Sequence, residues 1–160
     1  MDKQQTPHKL NIVASNLVNI CVDENENGEL HGRIYDCFHR EARSFHNLMQ
    51  LLWGMEELYE GISFPQASTR SRFFICPRIT GEKNLKKVQE CDKLYENRGK
   101  IASFMVWVRS RQNATWQGEV FCLEQDEKLS FVSALDLIKI IDNILGDTFL
   151  KKEIMGKESC

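Results

Sequence analysis

Residues with catalytic potential are present in this chain, but few of them stand at a spacing that chemistry would use. Cys37 and His39 lie two apart, and a thiol beside an imidazole is the pairing that generates a thiolate nucleophile. No third group is placed to orient the imidazole, so the two read as alternate positions of one strand. Glu56 with Glu57, and Asp136 with Asp142, could supply an acid and a base. Both sets fall in helix-like stretches, where solvated carboxylates are ordinary. The stretch from Thr69 to Arg72 has the composition to hold a phosphoryl group, as many exposed loops do. Neither a Walker-type loop nor G-x-G-x-x-G occurs. The six cysteines (Cys21, Cys37, Cys76, Cys91, Cys122 and Cys160) form no Cys-x-x-Cys pair, and no histidine lies at zinc-finger spacing from them. Free thiols are expected, with no metal, no cofactor and no catalytic residue.

Binding chemistry is better represented. A hairpin turning on Asn113-Ala114 sets Trp107 opposite Val120 and Met105 opposite Cys122. One face then carries Phe104, Val106, Val108, Phe121 and Leu123, which is the expected helix-packed core. The other carries Met105, Trp107, Val120 and Cys122 and continues to Trp116, with Arg109, Arg111 and Gln112 beside it. Tryptophan next to arginine on an open sheet face is favoured at protein interfaces and on single-strand nucleic-acid platforms. Trp107, Arg109, Arg111, Gln112 and Trp116 are therefore the expected contact residues. The competing reading is that the connector covers this face and the arginines only rim it.

These residues belong to a chain that repeats itself. The stretch 16–58 lies on 102–144 without a gap at a constant offset of 86, the separation of Gly32 and Gly118. Val22/Val108, Asn27/Asn113, Glu41/Glu127, Ser44/Ser130, Phe45/Phe131 and Leu51/Leu137 also coincide. Each copy reads strand, tight turn, strand, short loop, helix. Asn27-Gly28 is a strong type I′ hairpin signal, because both central residues of that turn need positive φ. Asn113-Ala114 suits it less well, so a wider loop is expected there. Ser133 with Asp136, and Asn47 with Gln50, resemble capping boxes. The helix stripes are read as Met49, Leu52, Met55 and Leu58, and as Leu135, Ile138, Ile141, Ile144 and Leu145, with stops at Gly61 and Gly146. The predicted fold is α+β: two tandem ββα repeats forming a two-layer antiparallel sheet with both helices on one face. The repeats span 10–60 and 101–147 of a single domain, with a connector at 61–100 and a flexible tail at 148–160. Within the connector, Arg72–Cys76 could be a short strand and Leu85–Tyr95 is helix-compatible.

The two hairpins differ in charge. Asp23 stands where Arg109 does, Asn25 where Arg111 does, and Asp36 where Cys122 does, which suggests an acidic face and a basic, aromatic one. The net charge of −2 supplies no global attraction to nucleic acid or anionic membranes, so such binding would need a local patch. No run approaches the ~20 apolar residues of a membrane-spanning helix. The polar N-terminus lacks the apolar core of a signal peptide, which points to the cytoplasm.

Arg111-Gln-Asn-Ala-Thr-Trp-Gln-Gly118, followed by Phe131-x-Ser-Ala-Leu-x-Leu-Ile-x-x-Ile-Asp142, resembles a group of short proteins encoded in gut Firmicutes, some of which match only the C-terminal half. The group has no established activity. The resemblance implies a bacterial cytosolic origin and a self-contained ββα module, and it carries over no functional residue. The expected function is a non-enzymatic binding or regulatory module acting through protein contacts or self-association. The alternatives are a nucleic-acid-binding protein, using the same hairpin with Lys83, Lys86, Lys87 and Lys93, or a mobile-element inhibitor using the acidic Asp23 to Glu26 turn.

Overall fold

The computed structural model describes residues 14, 16–65, 85–112 and 115–157, with side chains through 146. The first half forms β1 (Leu17–Glu26), β2 (Glu29–Asp36) and β3 (Arg43–Phe45), followed by α1 (Leu48–Ile62). A short 3-10 helix at Cys91–Glu96 precedes β4 (Ala102–Ser110), β5 (Gln117–Cys122), β6 (Glu127–Phe131) and α2 (Ala134–Lys157). The six strands make one antiparallel sheet in the order β3-β2-β1-β4-β5-β6. The architecture is α+β.

Each half places three strands before its helix rather than two. The segments predicted as loops pair on the outer edges of the sheet, Gly32 with Phe45 and Gly118 with Phe131. The helices also run past their expected stops. Gly61 lies inside α1, which ends in a left-handed Ser63 whose N–H donates to the Glu60 and Tyr59 carbonyls. Gly146 is interior to α2, which is helical to Lys157 through much of the region expected as a tail.

Several local features recur 86 residues apart. The Asn27-Gly28 turn has both residues at positive φ, as a type I′ turn requires; its expected counterpart at Asn113-Ala114 lies outside the described residues. β1 slips register between Val22 and Glu24, and β4 slips between Val108 and Ser110. A side chain on Gly32 would collide with the Cys21 carbonyl, and one on Gly118 with the Trp107 carbonyl, so both strands need glycine there. The Asn47 carboxamide accepts from Gln50 N–H at 2.8 Å and the Ser133 hydroxyl from Asp136 N–H at 2.9 Å. Gln50 and Asp136 return the bond, accepting from His46 and Val132 N–H.

Both helices pack on one face of the sheet. Leu51, Met55, Leu58 and Tyr59 of α1 join Leu137, Ile141, Ile144 and Leu145 of α2 over Val18, Ile20, Ile34, Phe104, Val106, Val108 and Val120. Each of the larger aliphatics contributes about 1.5–3 kcal/mol of burial. On the opposite face Leu94 of the 3-10 helix packs on Leu17, Cys37, Met105 and Phe121, with Tyr35, Trp107 and Leu123 at its margin. Asn19, buried on β1, anchors that cover by donating to the Leu94 and Asn97 carbonyls. Of the predicted helix stripes, Met55, Leu58, Ile141, Ile144 and Leu145 are buried, and the first residue of each lies outside the core. Met49 and Leu135, expected in the core, are 73% and 60% exposed.

Candidate functional site

The two bulges decide where the predicted contact residues go. β4 and β5 pair Met105 with Phe121 and Trp107 with Glu119, one residue away from the predicted register. Val120 and Cys122 therefore join the helix-side core, and Phe121 and Leu123 take the opposite face. A one-residue slip exchanges the faces of a strand. Trp107 stays on the face covered by the connector and is half-buried, which corrects its reading as part of an open platform. Arg109 is the extra residue at the bulge and remains exposed, as does Gln112. Beyond the bulge the alternation is reversed, so Arg111 and Trp116 turn inward beneath α1.

There they form a closed polar knot. The Arg111 guanidinium, 4% exposed, donates to Glu56 at 2.9 Å, to Glu60 at 2.8 Å and to the Pro65 carbonyl. Trp116 Nε1 donates to the other Glu56 oxygen at 2.9 Å, and its ring meets Tyr59 edge-on at 5.6 Å. Arg111 lies over the Tyr59 ring, whose buried hydroxyl has no hydrogen-bond partner among the described residues and whose pKa burial pushes up. Gln117 ties the same loop to the Gln112, Thr115 and Val132 carbonyls, and Thr115 Oγ1 accepts from Ala134 N–H at the start of α2. Arg111 and Trp116 are thus not available as an open docking surface: their side chains hold the β4–β5 loop to α1, and Thr115 and Gln117 hold it to the start of α2.

The other candidates separate in the same way. Cys37 is buried beside Cys91, and burial raises its pKa. His39 turns to the buried Asp36, its Nδ1 lying 2.9 Å from Oδ2, so the thiol and the imidazole form no couple. Asp36 also accepts from the Phe38 and His39 N–H groups and from Arg43, which organises the loop after β2. Asp23 pairs with Arg33 at 2.9 Å on the connector side, whereas Asp36 pairs with Val18 and Asn25 with Leu30 on the helix side. The three share no acidic face: Asp36 faces the helices with Val18, Asp23 points the other way from its neighbour Val22, and the bulge turns Asn25 away from Asp23. Glu56 is engaged by Arg111 and Trp116, and Asp136 caps α2. Lys86 and Lys93 are exposed and Lys87 is paired with Glu90. Thr69 to Arg72, Arg72–Cys76 and Lys83 lie outside the described residues.

A surface feature takes their place, in which Met49 and Leu135 were expected in the core and Trp53 and Val132 carried no expectation. Met49 and Trp53, one turn apart on α1, are 73% and 44% exposed, and Val132 and Leu135 stand out at the start of α2. Positions i and i+4 share a helix face, so Met49 and Trp53 form one apolar strip opposite the buried Leu51, Met55 and Leu58. Tryptophan and methionine are enriched at protein interfaces. The signal was present as a second apolar register on the same helix. No helix among the described residues is long and apolar enough to cross a membrane. No protein-family model, curated protein or solved structure matches this chain.

Proposed function

We propose that this chain is a non-enzymatic binding module of the bacterial cytoplasm, built from two copies of a βββα unit, that docks a protein partner through the outward face of α1. The exposure of Trp53 one turn from Met49 carries this reading. An indole left 44% open to solvent on a helix whose inner face is fully packed is a ready anchor, since binding energy concentrates in a few such residues. The internal use of Arg111 and Trp116 moves the contact surface from the β4–β5 hairpin to this helix.

The test is affinity capture from host lysate by wild type and by a Met49→Ser/Trp53→Ala variant, with and without nuclease. Both substitutions fall on exposed positions, so the thermal unfolding temperature should stay close to wild type. A protein captured by wild type, resistant to nuclease and lost from the variant supports the reading. Identical captures refute it. Capture that disappears with nuclease moves the assignment to nucleic-acid binding.

A further inference from the structure

We infer that the pocket between the β1–β2 turn and the two helices binds a planar aromatic ring carrying an N–H donor, an indole or a ring of its size. It is a half-open cleft whose volume of about 130 Å³ matches the bulk of a single aromatic ring. Leu30, Leu48, Ile138 and Ile141 make the apolar walls, and the exposed Lys139 and Asp142 stand at its lip. This site is separate from the α1 strip and does not depend on it.

The ligand class is read from the other half of the molecule. Moving 86 residues along, Leu30 becomes Trp116, Leu48 becomes Ala134, Ile138 becomes Leu52, Ile141 becomes Met55 and Asp142 becomes Glu56. Of those residues, Met55 shares the helix-side core with Trp116, Leu52 and Ala134 pack against that core, and Glu56 accepts the Trp116 Nε1–H. The pocket, lined from both halves, thus has the walls and the carboxylate of an indole site, but the side chain that occupies the equivalent place is only Leu30. An incoming ring N–H would donate to the Asp142 carboxylate at the lip, as Trp116 Nε1 donates to Glu56.

The shared chemistry is the indole N–H, whether it arrives as a free small molecule or on a tryptophan side chain of another chain. The full chain is titrated with indole, 1-methylindole and N-acetyltryptophanamide, followed by calorimetry and saturation-transfer NMR. Indole is expected to bind saturably and 1-methylindole about tenfold more weakly, the loss of one hydrogen bond to a charged acceptor. Leu30→Trp places the chain's own ring in the pocket and should abolish binding while raising the unfolding temperature. Asp142→Asn, at an exposed position, should weaken indole severalfold and leave 1-methylindole unchanged. Binding of N-acetyltryptophanamide supports a side chain as the natural occupant; binding of indole alone supports a small molecule. The inference is overturned if no probe binds, or if Leu30→Trp binds indole as wild type does. Should Leu30→Trp not fold, unchanged indole affinity in Asp142→Asn overturns it.

Discussion

Replacing Arg111 with alanine should destabilise the protein although the residue lies in a loop connecting two strands. Arg111 is 4% exposed and donates to Glu56, Glu60 and the Pro65 carbonyl. Its removal leaves two carboxylates one helical turn apart without their cation, and a carbonyl without its donor. Deleting one partner of a buried ion pair costs about 3–5 kcal/mol. Glu56 and Glu60 are 38% and 40% exposed and regain water when the guanidinium leaves, so the lower end applies. A loss of about 3 kcal/mol corresponds to a fall of roughly 6–12 °C in Tm for a chain of this size. Urea unfolding followed by circular dichroism measures it, with an unchanged m value showing that the unfolded state is the same. Arg111→Met retains the stem over Tyr59 and separates packing from charge. In a double-mutant cycle, Arg111→Ala with Glu60→Gln should show a coupling of about 1 kcal/mol or more. Arg109→Ala, at an exposed bulge, should stay within about 0.5 kcal/mol of wild type. If Arg111→Ala does the same, the inward placement of this side chain is wrong and the open docking hairpin returns.

Two further outcomes follow from the titratable groups. Burial pushes the Asp23 carboxyl up, but hydrogen bonds from Arg33 and the Lys100 N–H outweigh it and hold the pKa below the ordinary 3.8. A carboxyl lowered on folding contributes stability that is complete above its unfolded pKa and lost as pH falls through the folded one. Asp23→Asn should therefore lower Tm at pH 7, with the difference from wild type shrinking below about pH 4; a constant difference across that range would sink the argument. The Cys21 thiol is pushed up to about 11, chiefly by burial, and Cys37 and Cys122 are also raised by burial. At pH 8 only about one Cys21 in a thousand is a thiolate, so peptide-level labelling of these three should be slow until the protein is unfolded in urea. Fast native labelling of Cys37 would reinstate a reactive thiol.

The internal correspondence at 86 residues is the property most legible without coordinates, because identical turn, cap and close-approach requirements leave identical residues. Gly32 and Gly118 coincide because each passes under a neighbouring carbonyl that a side chain would strike. Asn47 and Ser133 align because each satisfies the first free N–H groups of a helix. The third strand of each half was not legible. Arg43–Phe45 is three residues long and Glu127–Phe131 is largely exposed, and both are held on the edge of the sheet by pairing rather than by an apolar alternation of their own.

Local chemistry thus determined the Asn27-Gly28 turn, the helix starts, the antiparallel hairpins and the α+β class, since each depends on residues a few positions apart. Tertiary structure decided which way the side chains face. One extra residue in β4 reverses the alternation at Arg111, and packing decides which apolar residue in the first turn of each helix meets the sheet. Met49 therefore stands in water and Leu51 in the core, while Arg111 and Trp116 are buried. A bulge is a count of paired residues across two strands, and that count exists only once the strands have met.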